Sequence, residues 1–497
     1  MAKVLVSQVD AVWLAERLHD WPDGSGPMYQ RLAQAIERLV QAGEVQGGAR
    51  LPAERLLSTE LKVSRTTVAG AYELLADRRL VTRRHGSGTY VESVRTETPP
   101  PRESVLMRSL ERNEIFDGLL DPPRELLDMR SAVIHDSPGL PQRALDAVGA
   151  DVARAASLQG YVPAGLPALR AAIAARYTAL GLPTEPGEVL VTSGAQQALA
   201  LIAMLHVRPD DEVVTEALTH TGAIDLFVAS GARLRTVPVG QQGADVDAIE
   251  RVLTERPRLL YLIPSIHNPL GSVMPARERR RLASLLDEHP DLVVIADDTL
   301  ADTYRDRRPP PPLGSYPGAH RVLHTGSLSK LIWGGLRVGW VRGPVPEIRR
   351  LARLKALTDL GSSIPSQLLA IRLMEEGEDF ADDRRAMIAQ RGRTLERALA
   401  HRLPSWTFDT PEGGLCLWIR LPGGSARELT MRAARHGVAL AAGSIQSPQG
   451  HFSDHLRIPY SHSELVLTRA VDRLADAWEQ HADPSPICEL EDLRVVV

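Results

Sequence analysis

The stretch from Thr325 to Gly339, TGSLSKLIWGGLRVG, sets one lysine behind two serines and an arginine seven residues further on. An aldehyde cofactor needs an amine that is partly neutral, and a lysine in a desolvated pocket provides one. If the cofactor also carries a phosphate, hydroxyls and a guanidinium belong beside that amine, because arginine grips phosphate through a planar fork. Ser327, Ser329, Lys330 and Arg337 supply these groups. An isolated S-x-S-K is equally the pattern of a solvated surface loop, so the stretch takes its meaning from what the chain places around it.

Between 126 and 483 helical stretches alternate with short β-rich runs: EVLVTS at 188, DEVVTEA at 211, RLLYLIPS at 258, LVVIADD at 292, RVLHTGS at 321 and GWVRG at 339. This α/β alternation predicts a mainly parallel sheet with helices on both faces, whose ligands bind at the carboxyl ends of the strands. The first run ends in Ser193-Gly194-Ala195-Gln196-Gln197 and enters a helix, which offers backbone amides to a phosphate. The run at 258 ends in Ile266-His267-Asn268-Pro269-Leu270-Gly271, the next in Asp297-Asp298, and the one after that delivers Lys330. Taken singly, a glycine after a strand is a turn, Asn-Pro starts a turn, and a buried Asp caps a helix or joins an ion pair. Together the four ends provide phosphate amides, a side-chain amide, a carboxylate and a lysine. That is the set pyridoxal 5'-phosphate (PLP) requires.

On these residues the segment 126–483 resembles the fold type I aminotransferases. The resemblance implies a Schiff base between Lys330 and PLP, Asp297 on the pyridine nitrogen and Asn268 on the phenolic oxygen. It places Gly194, Ala195, Gln196, Ser327 and Arg337 around the phosphate. His220, in TEALTHTG, stands where relatives stack a tyrosine on the ring; imidazole has less area and titrates, which implies a weaker or pH-dependent hold. Tyr161, in YVPAGLPALR, matches a tyrosine lent to the phosphate from the partner subunit of a dimer. Thr299 replaces a tyrosine that supports the phenolic oxygen in many relatives, a departure that bears on transamination more than on cofactor binding. Arg457, in HLRIPYSH, aligns with the arginine that holds a substrate α-carboxylate, with a strand-end ion pair as the plain alternative. PEGGLCLWIRLP, 411 to 422, fits a smaller C-terminal α+β subdomain.

Ahead of this body, Met28, Leu32, Ile36 and Val40 recur at every fourth position, with Leu39 beside the last, and predict one helix. Leu51-Pro52 opens a second, with Leu56, Leu57 and Leu61 as its expected buried face. Ser64 is a good N-cap for a third, in which Val68, Ala71, Tyr72 and Leu75 keep helical spacing. Two helices joined by a tight turn are the layout of a helix-turn-helix, and LVTRRHGSGTYV reads as a two-stranded wing behind it. Residues 26 to 91 resemble the winged helix-turn-helix of the GntR family of bacterial transcription regulators. The resemblance implies that Arg55, Ser64, Arg65, Thr66 and Thr67 face double-stranded DNA, with His85 and Gly86 at the minor groove. Arg65 suits a bidentate contact to guanine or a phosphate contact, and the sequence leaves both open. Ala69, where many members carry arginine, leaves base preference open as well. The whole chain resembles the MocR/GabR subfamily of GntR regulators.

The domain expectation is therefore 1–92 for the N-terminal segment and winged helix, 93–125 for a linker, 126–483 for the PLP-binding body, and 484–497 for a tail. The linker is semi-extended at Pro99 to Pro101 and helical after Ser104. Charge divides in the same way: residues 26 to 95 hold 11 Lys+Arg against 7 Asp+Glu, a net of +4, which leaves −8 to the rest of a chain whose total is −4. Cys416 and Cys488 make no metal spacing and no disulfide framework, so no metal is expected. Charged residues interrupt the N-terminal apolar run, and no window reaches the length of a membrane span, so the expected site of action is the cytoplasm.

The functional expectation is a PLP-dependent regulator, a homodimer on operator repeats, that senses an amino compound or PLP itself. An effector amine displaces Lys330 from the cofactor while Arg457 holds its carboxylate, without net turnover. A working aminotransferase with an appended DNA module is the alternative, and a body that serves only as a dimerisation scaffold is a third.

Overall fold

The computed structural model describes residues 9–18, 21, 27–41, 45, 49–77, 80–84, 88–91, 114–120, 125–135, 139–157 and 159–482. The chain divides into two units, Met1–Pro101 and Arg102–Val497.

In the smaller unit, Asp10 caps the helix Ala11–Arg17, its carboxylate accepting from the amides of Val12 at 2.9 Å and Trp13 at 3.2 Å. The helix Met28–Gln41 buries Leu32, Ile36 and Leu39, while Met28 at its start is exposed. Glu54–Glu60 buries Leu57 but turns Leu56 to solvent, because neighbours on a helix lie about 100° apart and cannot share one face. The Ser64 hydroxyl accepts from the Thr67 amide at 3.1 Å and so starts Arg65–Asp77, where Val68, Ala71, Tyr72 and Leu75 are all buried. The wing strands Val81–Arg84 and Gly88–Val91 pair antiparallel, with Val81 opposite Val91. Residues 49–51 run beside them, the Leu51 amide donating to the Thr89 carbonyl at 2.8 Å. The turn that carries His85 and Gly86 lies outside the described residues.

The larger unit is built on a seven-stranded sheet. Its order is Val189–Thr192, Gly339–Arg342, Leu323–Ser327, Val293–Asp297, Leu259–Leu262, Glu212–Glu216 and Arg233–Val237. Gly339–Arg342 is antiparallel to both neighbours, and the other pairings are parallel. All six strands expected from the sequence are present, and Arg233–Val237 adds an edge strand. Val189–Thr192, Leu259–Leu262, Leu323–Ser327 and Gly339–Arg342 are buried at every residue, as strands covered on both faces must be. A second sheet, antiparallel, runs Thr407–Phe408, Cys416–Arg420, His455–Pro459 and Ala441–Ala442.

Of the segment 93–125, residues 114–120 form a helix, Glu114–Leu120, with Ile115 buried. Pro99 to Pro101, the stretch from 104 to 113 and the tail 484–497 lie outside the described residues. Among the described residues no helix is long and apolar enough to cross a membrane, and no cluster of His, Cys, Asp and Glu could hold a metal ion.

Candidate functional site

Four strand ends converge on a cavity of ≈ 590 Å³ in the larger unit, within the range of small-molecule sites. Gly194, Ala195, Gln196, His220, Asn268, Asp297, Thr299, Ser327, Lys330, Arg337 and Arg457 all line it.

At one end Gly194, at φ +105°, turns the chain from Val189–Thr192 into the helix Ala195–His206, whose first amides lack intrahelical partners. Arg337 lies over this turn: its guanidinium donates to the Ser193 carbonyl, and a Cβ on Gly194 would come 3.0 Å from its Nη2. From below, Gly339 fits where a Cβ would stand 2.6 Å from the Gly194 carbonyl carbon. Ser327 Oγ donates to the Val338 carbonyl and accepts from the Ser329 amide, both at 3.1 Å. Backbone amides, a hydroxyl and a guanidinium thus gather at one helix start, a donor set for an anion.

Across the cavity floor, Asp297 accepts from the Tyr261 phenol at 2.7 Å and from the Thr299 amide at 2.9 Å. Burial, and then the Asp297 charge beside it, holds the phenol well above its ordinary pKa, so Tyr261 remains a donor. The adjacent Asp298 points elsewhere, accepting from Ser265 at 2.6 Å and lying 2.7 Å from His324 Nδ1. Burial pushes its pKa up, but His324 and Ser265 outweigh that and hold it below the usual range. Asp298 is therefore committed to hydrogen bonds with Ser265 and His324, and Asp297 is the one that lines the cavity.

The Lys330 amine donates to the Ala132 carbonyl at 3.0 Å. Burial first, and then the Arg457 charge, lower its pKa to about 8, with Asp297 pulling the other way. Arg457 is buried; its guanidinium donates to the Arg130 carbonyl while its Nε has no hydrogen-bond partner. Thr299 Oγ1, also buried, has none either. His220 Nε2 lies 3.2 Å from the Gln196 side-chain oxygen, and burial keeps its ring neutral down to about 4. That narrows the pH dependence expected of this histidine to acid conditions.

Tyr161 does not line the cavity and stands 64 % exposed. Residues that the sequence reading passed over complete the site: Tyr261 beneath Asp297, Cys416 with its buried thiol, Ala132, and Ile115 and Leu119 from the helix Glu114–Leu120. One signal for Tyr261 was present, a single phenol in the aliphatic run LLYL. In the parallel register Tyr261 pairs with Ile295, two residues before Asp297 and so on the same face.

In the smaller unit Arg55, Ser64, Arg65 and Thr66 are exposed and Thr67 is half-buried. Arg65 lies 3.4 Å from Glu54 with its side chain 71 % exposed, a surface pair too weak to withhold it from a phosphate or base.

Residues 28–91 match the bacterial regulatory proteins of the gntR family, and residues 136–474 match aminotransferase class I and II. The chain belongs to the GntR-type regulators that carry an aminotransferase domain. Within that family it is 30% identical to the HTH-type transcriptional regulator YjiR of Escherichia coli over 86% of this chain and 94% of that protein. It is 28% identical to the probable rhizopine catabolism regulatory protein MocR of Rhizobium meliloti, over 83% of this chain and 85% of the other. Among solved structures, LysN, the α-aminoadipate aminotransferase of Thermus thermophilus complexed with N-(5'-phosphopyridoxyl)-L-leucine, superimposes with a TM-score of 0.67 at 30% identity. The match covers 75% of this chain and 97% of that one. In this regulator the segment that matches the DNA-reading family and the segment that holds the cavity are separate parts of one chain.

Proposed function

We propose that this regulator holds PLP at Lys330 and reads, through it, an amino compound that carries a carboxylate. The observation that carries the reading is the pairing, in one cavity, of a lysine whose pKa is lowered to about 8 with a buried arginine whose Nε is unpartnered. PLP bound there supplies an aldehyde that a primary amine captures reversibly, and a pyridine ring that withdraws electrons. Every other requirement falls to side chains of this protein. At about pH 7.5 an amine of pKa about 8 is neutral in roughly a quarter of molecules, against about one in a thousand for an ordinary lysine. Asp297, fixed by Tyr261 and the Thr299 amide, would hold a proton on the pyridine nitrogen. Asn268 would donate to the phenolic oxygen, and Thr299, whose Oγ1 is unpartnered, lines the same cavity. Gly194, Ala195, Gln196, Ser327 and Arg337 would receive the phosphate, His220 would cover the ring, and Tyr161, exposed here, would serve a second copy of the chain in a homodimer.

Arg457 would take the effector carboxylate in place of the Arg130 carbonyl it now holds. An effector that binds one arrangement of the larger unit better than another shifts the population between them, and the winged helix, acting on operator repeats in the cytoplasm, reports the shift. Arg55, Ser64, Arg65, Thr66 and Thr67 would contact the DNA, with His85 and Gly86 at the wing.

The test is borohydride reduction of the PLP-loaded protein followed by mass analysis, run beside an absorbance titration with amino acids and a DNA-binding assay on the protein's own upstream region. A reduced adduct on Lys330, absent in Lys330→Ala, together with a spectral change that tracks a change in DNA affinity, is the expected result. An unmodified Lys330 would sink the proposal. Accumulation of a keto product would move the assignment to a working aminotransferase.

A further inference from the structure

Asn268 is the donor assigned to the phenolic oxygen, and its side chain can be held there only as steadily as its backbone is held. Downstream, the turn it opens is tied to the segment before Cys416–Arg420: the Glu412 amide donates to the Gly271 carbonyl at 2.9 Å, and a Cβ on Gly271 would come 2.3 Å from the Cβ of Pro411. Upstream stands His267, whose amide donates to the Ser272 carbonyl at 2.9 Å and whose carbonyl accepts from the Gly271 amide at 2.7 Å. Its imidazole is fully buried and does not line the cavity.

Against that ring lies Glu216, the last residue of the strand Glu212–Glu216. Both side chains are 0 % exposed, with Glu216 Oε2 3.4 Å from His267 Nε2. The same Oε2 accepts from the Ile263 amide at 3.0 Å, which ties the carboxyl group to the end of Leu259–Leu262. On the other side of the ring, the Leu270 amide donates to Nδ1 at 3.3 Å, so a neutral imidazole carries its proton on Nε2, toward Glu216. Among the described residues Nε2 has no closer partner, and Glu216 Oε1 has none. Two such groups are costly to bury, and apolar residues of similar volume would serve stability as well. What the pair does supply is direction: it runs from the strand Glu212–Glu216 through the imidazole to Leu270, so that Asn268 is bracketed by the two residues it grips.

We propose that Glu216 and His267 are positioning residues: the carboxyl–imidazole pair clamps the turn on either side of Asn268 and so holds its side-chain amide on the phenolic oxygen of PLP. This rests on the reading of the cavity as the PLP site, and it adds to that site two residues that stand outside the cavity.

The experiment follows the visible absorbance of the full-length PLP-loaded protein against pH. A donor on the phenolic oxygen stabilises the negative charge there, and that charge helps to keep a proton on the Lys330 nitrogen of bound PLP; loss of the donor therefore moves the midpoint to higher pH. Asp297, His220, Cys416, Arg337 and Arg457, the other titratable groups that line the cavity, are the same in every variant. Asn268→Ala is expected to raise the midpoint by about one pH unit, the lower end of what a hydrogen bond to a charged group contributes. His267→Leu is expected to raise it as far, and the double variant no further, because both substitutions act through one donor. Should His267→Leu strand Glu216 in the core and fail to fold, the paired Glu216→Leu/His267→Leu variant leaves neither group alone and carries the same expected shift. A midpoint unmoved in the leucine variants would overturn the inference, as would a shift that adds to that of Asn268→Ala. Failure of the parent to hold PLP at Lys330 would remove the earlier reading and this one with it, whereas PLP held with an unmoved midpoint would remove this one alone.

Discussion

Lys330 must shed its proton before it can attack an aldehyde, so the protonation state of one buried amine governs loading of the site. The folded pKa lies below the ordinary lysine value, and the reactive neutral form gains as pH rises. The rate of PLP capture should climb through about pH 8 and level off above it, as stopped-flow mixing of apo protein with PLP would show. His220, neutral down to about 4, should add no second inflection in that window. Arg457→Ala should move the rise in capture rate to higher pH, because the Arg457 charge helps to lower the lysine pKa, and should raise the half-saturation for a carboxylate effector roughly ten- to hundredfold, the worth of about 1.5–3 kcal/mol for a hydrogen bond to a charged group. At this scale the sequence was most legible at the ends of strands: Lys330, Asp297, Asn268 and Gly194, singled out by position and type, all line one cavity. Cys416 and Ala132 were not singled out, because a buried thiol and a carbonyl that caps an amine have no signature in residue type. Ile115 and Leu119 were hidden for another reason. They lie in a stretch of weak periodicity that the sequence marks as helical after Ser104 without showing which of its residues face the cavity.

Elements carry the site by how closely they approach each other. Gly339 is the clearest case, since an added Cβ would meet backbone, 2.6 Å from the carbonyl carbon of Gly194 and 2.7 Å from the amide nitrogen of Ala195. Gly339→Ala must therefore displace the start of the helix Ala195–His206. We expect overpacking to cost about 1–3 kcal/mol of stability and to weaken phosphate holding more than ring holding, measurable as a loss of affinity for inorganic phosphate in the apo protein. In the smaller unit, Ser64→Ala removes the cap of the helix Arg65–Asp77 and should lower stability by about 1 kcal/mol in a denaturant titration. Elements of continuous or strongly periodic apolarity were readable from the sequence. Those with mixed patterns were not: Arg233–Val237 alternates charge with apolar residues because it is an edge strand, and Ala11–Arg17 is a short helix recognisable mainly by its Asp10 cap.

Across the molecule, each unit has an apolar core of its own: Leu14, Leu32, Ile36, Tyr72 and Leu75 in the smaller, and the covered strands of the larger. Two separate cores predict two thermal transitions. Saturation with PLP should raise only the one that belongs to the larger unit, by about 2.7 kcal/mol at a hundredfold excess over Kd, a shift that calorimetry with and without PLP resolves. The order of strands in the larger sheet has one more effect. Gly339–Arg342 is inserted between Val189–Thr192 and Leu323–Ser327, so Arg337 reaches Ser193 across 144 residues of chain. A nascent polypeptide cannot grip an anion until that late strand has threaded back beside an early one, and contacts so distant in sequence form slowly. Phosphate retention thereby reports on maturation: a copy that holds it has already brought together two segments 144 residues apart.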